Sequence, residues 1–519
     1  MFRLVGGIPK PHAEHRAVTT ERGQIGKGDL DGVVGRGALR GDNLDAERHE
    51  VRDDERSIHR RRDGRRQDRE DELKGSLKGE PVSHFNARSV YGQTFDAAAV
   101  SSSHATFGYS HAMKRLVCGL VLVSASTAML AQRPSSSRDS VRPGLEVFLS
   151  DVPAEVRGKR VGLITNHAGI DRAGRSAIDL IAAHGDLDLV ALFAAEHGIR
   201  GSTPAGENIV DERDENTGVP VFSLYKSEDR GPTSHMLAEV DALVYDLPEV
   251  GGRTWTYVST MALSMQAAAR KKIPFVVLDR PNPIGGEIVE GGLLDPAFTS
   301  FVGMYPIPAR HGMTVGELAT FFNQEFDIGV NLIVARAENW RRAQWITDTR
   351  LPWRNPSPNL RSPAALNSYP GTVYFEGTNL TEGRGTDRPF EQIGASWLDA
   401  PAVVKIMNDR QLPGIRFDAI TMAVEERAAK FPAQTIPAIR FVITDREAYR
   451  PVRTSLLLID EIRRRHPDNF AWGKTIDRLT GSDKVRRAIE SGTLPALLDE
   501  WDREAAAFRE RRKRFLLYE

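Results

Sequence analysis

A carboxylic acid in a position to do chemistry stands at the end of a short apolar run, Leu187 to Gly198, LDLVALFAAEHG. The Leu- and Val-rich part is too short for a helix and is bounded by Asp188 and a polar turn, which predicts a buried strand. That strand sets down Glu196, His197 and Gly198 at its carboxyl end, the side on which open α/β sheets bind ligands. Alone, Glu196 would read equally well as a solvated loop residue. Three more strands end in the same way. RVGLIT (Arg160–Thr165) leads into Asn166-His167, ALVYDL (Ala242–Leu247) carries Asp246, and PFVVLD (Pro274–Asp279) hands over to Asp279-Arg280. Four polar strand ends in succession put a polar cluster along one rim of one sheet, although each Asp singly could be a helix cap.

The turns that follow are punctuated with Gly and Pro and carry Arg, Asn and aromatic residues. GGRTWTY holds Arg253, DRPNPIGG holds Arg280 and Asn282, and PARHGMTVGEL holds Arg310 and His311. WRNPSPNL contributes Asn359, and FEGTNLTEGRGTDRPF contributes Glu382, Arg384 and Arg388. Gly and Pro fix the backbone path, so these polar groups sit on defined turns. Guanidinium, amide and aromatic groups together suit a polar, partly anionic, sugar-like ligand, whereas any one Arg reads as a surface ion pair. No cofactor is expected. The first turn, NHAGIDRAGR, lacks the dinucleotide glycine pattern, and no phosphate loop ends in Lys-Ser or Lys-Thr. His167, His197 and His311 fall in no metal-ligand spacing, so no metal is expected either.

The elements that position these residues alternate. Helix-like stretches at Arg175 to His184, Thr233–Val240, Tyr257–Lys271 and Val315–Phe326 separate the strands, and Val330–Ala335 adds a fifth strand. Strands separated by helices predict βαβ units in a parallel sheet. From about Asn367 the pattern changes: YPGTVYFEGTN alternates like a strand, Thr454–Arg465 is amphipathic, and Pro495 to Arg514 forms a closing helix with Glu and Arg outward. The EGTN–GRGT loop is expected to fold over the rim of the sheet and complete a cleft.

Residues 1–112 carry mixed Arg, Asp and Glu without hydrophobic periodicity, which predicts disorder or a wrongly assigned start. Acids interleave with the bases and no aromatics accompany them, so no nucleic-acid partner is expected. From Met113, MKRLVCGLVLVSASTAMLAQ has a basic start, an apolar run and small residues before Gln132, which predicts a signal peptide over 113–131 and an exported protein, periplasmic or secreted. The only cysteine, Cys118, lies inside it, so the mature chain has no thiol and no stable membrane insertion. The balance of 70 basic and 70 acidic residues averages over residues 1–112 and identifies no partner.

EHG, DRPNPIGG, PARHGMTVGEL, PSPN, YPGT and EGTNLTEGRGT, in this order, resemble the NamZ-type exo-β-N-acetylmuramidases over roughly Gly144 to Glu519. The resemblance implies an exo-acting glycosidase that releases N-acetylmuramic acid from non-reducing ends of peptidoglycan. It also implies a Rossmann-like domain at 144–366, a smaller α+β C-terminal domain at 367–519, an active site between them, and the catalytic glutamate at Glu196. Here Ala195 replaces a more usual Pro. Pro248-Glu249-Val250-Gly251 departs from the usual Gln and Asp-Val-Gly, and Phe431–Asp445 lacks the usual Cys and Gly, which bears on substrate preference more than on fold. Glycoside cleavage needs one carboxylic acid to protonate the leaving oxygen and a second carboxylate to meet the cation or activate water. Burial at a strand end is expected to keep Glu196 protonated. Asp246 and Asp279 are the expected partners, with Glu249 and Glu382 as further candidates. The lactyl carboxylate of N-acetylmuramic acid calls for an Arg fork, from Arg253, Arg280, Arg310, Arg384 or Arg388. His197, Asn282, His311 and Asn359 complete the expected substrate contacts. Two other classes stay open. A non-catalytic cell-wall glycan-binding protein would tolerate loss of Glu196, and an esterase or amidase lacks a Gly-x-Ser-x-Gly elbow in the mature chain.

A chain begun at Met113 is expected to be exported and cleaved between about Ala125 and Gln132. N-terminal sequencing of the exported protein checks this, and a product still carrying residues 1–112 refutes it.

Overall fold

The computed structural model describes residues 140–519 apart from 204–206, 208–210 and 226–229. The segments 1–112 and 113–131 lie outside the described residues. In chain order, α1 is Gly144–Ser150, β1 Arg160–Thr165, α2 Ala177–Ala182, β2 Asp188–Ala194, β3 Glu212–Arg213, β4 Pro220–Ser223 and β5 Ala242–Asp246. Then come α3 Thr256–Lys271, β6 Phe275–Leu278, β7 Glu290–Leu293, β8 Pro308–Arg310, α4 Val315–Glu325, β9 Leu332–Ala335 and α5 Pro363–Thr372. The chain closes with β10 Gln392–Gly394, α6 Ala400–Asp409, β11 Ile415–Ala423, β12 Thr435–Ile443, α7 Pro451–Arg465, α8 Ile476–Thr480, α9 Lys484–Ser491 and α10 Leu494–Arg512.

Seven strands form one sheet in the order β3-β4-β2-β1-β5-β6-β9. All its pairings are parallel except the short edge pair β3–β4. The strands are apolar nearly throughout because both faces are covered. Val161, Leu163, Leu192 and Val244 pack under α1 and α2. Phe193, Leu243, Tyr245 and Phe275 pack under α3 and α4. The order reverses between β1 and β5, so loops from these strands part and open a crevice at their carboxyl ends. The expected parallel α/β sheet is therefore present, followed by a smaller unit in which β10-β12-β11 pair antiparallel.

Two expected elements differ. Thr233–Val240 forms turns and no helix. One α-turn closes from Leu237 N–H to Thr233 O, and the next bonds shorten to His235 O and Leu237 O, so the segment tightens and stops. YPGTVYFEGTN is helical: α5 is capped by Ser362, whose hydroxyl accepts Ala365 N–H, and runs into a 3-10 turn at Val373–Gly377. Tyr369, Val373, Tyr374 and Phe375 are all buried, so the apparent alternation reflects burial on every side rather than a pleat.

The two halves share one hydrophobic core, from Phe193 and Met261 through Tyr369 to Leu456 and Trp501. The β7–β8 hairpin is the seam. Trp501 of α10 lies against Gly292, where an added Cβ would come within 2.2 Å of its indole nitrogen. Leu293 N–H bonds Glu504, and the buried Arg253 guanidinium donates to the carbonyls of Gly292, Ile307 and Leu479. Glu290 is buried opposite Arg310 in the hairpin. One of its oxygens accepts Arg453 N–H, and the other has no hydrogen-bond partner among the described residues.

Burial pushes Glu290 up to about 7, with Arg310 pulling the other way. Between about pH 4.5 and 7 the folded chain thus keeps a proton that the unfolded chain has lost, and stability falls as pH rises through that window. Glu290→Gln cannot ionise, so its stability relative to the parent is expected to climb across the window by about 3 kcal/mol and level off above it. Thermal unfolding of both proteins from about pH 5 to 8 tests this, and a difference in Tm that does not move with pH contradicts it.

Candidate active site

A cleft of about 750 Å³ opens between the carboxyl edge of the sheet and the C-terminal half, and Glu196 lies in its wall. The chain reaches this point from β2 and turns sharply: His197 takes a φ of 73°, rare outside glycine, followed by Gly198 at 74°. His197 Nδ1 lies 2.8 Å from Thr203 O. A carbonyl only accepts, so Nδ1 carries a proton and donates it to Thr203 O.

Glu196 is held by the first turn of α3. Its Oε2 accepts the Thr256 hydroxyl at 2.6 Å, and the Tyr225 phenol also hydrogen-bonds its side chain. The backbone is held as well: Tyr257 OH donates to Glu196 O at 3.0 Å and accepts Asn166 Nδ2 at 2.9 Å. Trp255 packs edge-on against Tyr257 at 4.6 Å, which seats the helix start. Burial, then the Glu196 charge, push the Tyr225 phenol up to about 12, so it keeps its proton through neutral pH.

The opposite wall comes from the C-terminal half. Arg384 Nη1 pairs with both Glu376 and Glu382, the latter at 2.9 Å, and its guanidinium stacks 5.0 Å from the Phe390 ring. Lys430 donates to the carbonyls of Phe375, Thr378 and Leu380 and lies 3.6 Å from Glu382. The two acids are driven apart. Burial raises Glu376, with Glu382 adding to the rise and Arg384 opposing it. Burial also works against the Glu382 charge, but Arg384 and Lys430 together hold it below its ordinary value. The Glu376 side chain is 27 % exposed against 5 % for Glu382, so Glu376 is the acid a ligand can reach. Asn359, Arg361, Arg427 and Arg478 also border the cleft. Among the described residues no group of three or more His, Cys, Asp or Glu could hold a metal.

Of the residues singled out in the sequence, the cleft gathers Glu196, His197, Asn359, Glu382 and Arg384. None of the others lines it, and each has partners elsewhere. Asp246 is fully buried and gripped by Arg280 through two bonds, Nε–Oδ1 at 2.6 Å and Nη2–Oδ2 at 2.8 Å. Asp279, also fully buried, accepts from Thr314 Oγ1, Gly316 N–H, Arg280 N–H and Tyr518 OH. Asn282 bridges Met313 O and Ile284 N–H, and His311 donates through Nε2 to the buried Glu249. Arg253 is spent on three carbonyls, and Arg310 donates to Ile284 O and lies over Trp345. Arg388 is half exposed and pairs with Asp387 and Glu391.

The physical reason is that Gly- and Pro-rich turns at strand ends also leave helix termini that need partners. TVGEL in particular is the start of α4. Thr314 caps Glu317 N–H, and Glu317 returns the bond to Thr314 N–H. Thr256 and Glu376 lay within quoted motifs but lacked a distinguishing spacing. Tyr225, Lys430 and Arg478 carry no sequence signal, since nothing along the chain marks their arrival at the cleft.

Arg280→Ala leaves Asp246 as a buried charge without a counter-ion, and is expected to cost about 3–5 kcal/mol of stability. Arg388→Ala at the surface should cost only about 0–1 kcal/mol. Denaturant melts compare them, and an Arg280→Ala protein with parental stability but no activity would assign Arg280 to the substrate after all.

Residues 161–364 match the family model for the N-terminal part of exo-β-N-acetylmuramidase NamZ, and residues 367–518 match that for its C-terminal part. The peptidoglycan β-N-acetylmuramidase NamZ of Bacillus subtilis (strain 168) is 40% identical over 407 residues, which spans 77% of this chain and 98% of that protein. A crystal structure of a DUF1343 family protein from Bacteroides fragilis superposes with a TM-score of 0.69 at 32% identity, covering 74% of this chain and all of that one. A second from the same organism gives 0.57 at 29% identity, covering 73% of this chain and 99% of that one. With the two family models together spanning nearly all of residues 161–518, and the sheet, the seam and the two-walled cleft continuous across them, the chain belongs to the NamZ exo-β-N-acetylmuramidase family.

Proposed function

We propose that the protein is an exo-acting glycoside hydrolase that releases N-acetylmuramic acid from the non-reducing ends of peptidoglycan fragments, with Glu196 as proton donor and Glu376 as the second carboxylate. One observation carries the reading: an acid from each half of the molecule borders the same cleft. The buried Tyr369 also borders this cleft, and its hydroxyl feels the charge of both Glu376 and Glu196.

In this mechanism Glu196 protonates the glycosidic oxygen as positive charge grows on the sugar ring. Thr256 and Tyr225 orient its carboxyl group and stabilise the carboxylate left once the proton departs. Glu376 meets the cation or activates water. Its raised pKa brings it closer to neutral pH, which strengthens it as a base. Arg384 is already neutralised by two glutamates, so the lactyl carboxylate is assigned to Arg478. Arg478 is exposed, borders the cleft, makes no hydrogen bond or ion pair among the described residues, and its charge reaches Tyr225 beside Glu196. Export through the segment beginning at Met113 would deliver the enzyme to its polymer.

Glu196→Gln keeps size and hydrogen bonding but has no proton to give. Turnover of a natural disaccharide should fall by about a hundred- to ten-thousand-fold, and that of an activated aryl muramide by less. Arg478→Ala should narrow the preference for a chromogenic β-N-acetylmuramide over the matching glucosaminide by about ten- to a hundredfold. Equal wild-type rates on the two substrates would sink the muramic-acid reading. A folded Glu196→Gln protein with parental turnover would move the acid role to Glu376.

A further inference from the structure

Helix α3 presents one continuous face to two depressions. Thr256, in its first turn, bonds Glu196 in the cleft. Leu263, Gln266, Ala267 and Arg270 follow on the same face, at the spacing of successive helical turns, and all four line a second groove of about 890 Å³. At 1.5 Å per residue, Arg270 lies about 20 Å along the helix from Thr256. Cleft and groove share a wall. Tyr225 and Val302 border the cleft, Arg230 and Phe301 border the groove, and the Arg230 guanidinium stacks on both Tyr225, at 4.8 Å, and Phe301, at 4.6 Å. The groove thus begins one side chain away from the phenol that bonds Glu196.

Its charge has one sign. Arg230, Arg270 and Lys271 line it, and no acid does so among the described residues. Lys271 is spent on the carbonyls of Leu237 and Ala238, the ordinary use of a cation near a helix C-terminus. Arg270 is not: it is exposed and makes no hydrogen bond or ion pair among the described residues. Ser300 also lines the groove, its Oγ buried and without a hydrogen-bond partner among the described residues. An open cation on a concave surface of one charge sign that adjoins the cleft describes a place for an anionic, extended ligand.

We propose that this groove is a subsite for the leaving part of the substrate, and that it binds carboxylates on the glycan beyond the scissile bond, with Arg270 as their recognition group. The inference rests on the muramidase reading of the cleft. Two sources supply such carboxylates, the lactyl ether of a further muramic acid and a stem peptide attached to it, and the substrates below separate them.

The test compares wild type with Arg270→Ala and Arg270→Glu on four substrates: a chromogenic muramide, the muramic acid–glucosamine disaccharide, the corresponding tetrasaccharide, and that tetrasaccharide bearing stem peptides. On the first two, all three proteins should have the same kcat/KM. On the peptide-bearing tetrasaccharide the Ala variant should lose about tenfold, through KM, and the Glu variant more, with the loss shrinking at high salt. An equal loss on the bare tetrasaccharide assigns the contact to the lactyl carboxylate, and a loss confined to the peptide-bearing one assigns it to the peptide. Parental kcat/KM of both variants on both tetrasaccharides overturns the proposal, as does the same loss on all four substrates. If wild type fails to cleave the chromogenic muramide, the muramidase reading falls by itself. Titration calorimetry of the peptide-bearing tetrasaccharide then decides the groove: weaker binding by Arg270→Glu supports it, and unchanged binding overturns it.

Discussion

A buried charge is costly unless it is partnered, and this sheet ends in two buried carboxylates, Asp246 and Asp279, that the fold must satisfy. At the crevice between β1 and β5, Asp246 is neutralised by the two-pronged grip of Arg280, which also donates to Ile170 O, while Thr165 Oγ1 bonds Asp246 O. One ion pair thereby ties β5, the turn after β6, the end of β1 and the loop after it. Asp279 is enclosed in turn by Thr314, Gly316 and Tyr518. With these carboxylates committed to the interior, the end of β2 is where a strand-end acid meets the cleft. The cleft is therefore displaced from the switch point itself toward β2 and the start of α3.

The second wall depends on the two halves being packed as one body. The β7–β8 hairpin is clasped by α7 and α10, and Arg512 donates to the His311 carbonyl. The C-terminus then returns to the sheet domain. Leu517 N–H bonds Glu317, Tyr518 OH bonds Asp279, and the Tyr518 ring packs edge-on against Trp340. Such a seam leaves little freedom for one half to turn on the other, so the spacing between the two walls is set by packing rather than by a hinge. A site built on helices and strand ends of a shared core holds its groups more firmly than one built on loops. The strained His197 backbone is consistent with this, since surrounding structure must hold such a conformation in place.

Local physics made much of the fold legible. The apolar runs Arg160–Thr165 and Leu189–Ala194, broken by turns, could only be buried strands, and their alternation with helices dictated a parallel sheet. Glu196 at a strand end stood out for the same reason. Thr233–Val240 failed because a stretch with helical residue types stopped after one turn, and YPGTVYFEGTN failed because burial on all sides imitates alternation.

Apolar runs, turns and long ordered motifs are local features, and they sufficed for the α/β order, the candidate Glu196 and the family that the chain resembles. Which polar residues meet solvent in the cleft is a matter of three-dimensional packing. Arg253, Arg280, Arg310, Asn282 and His311 have the chemistry of a sugar site, yet they serve carbonyls, amides and carboxylates in the interior. Tyr225, Glu376, Lys430 and Arg478 come to the cleft from distant parts of the chain. Residue type states what a group can bond, but the partner it bonds is set by which segments packing brings within about 3 Å, and that distance is not written along the chain.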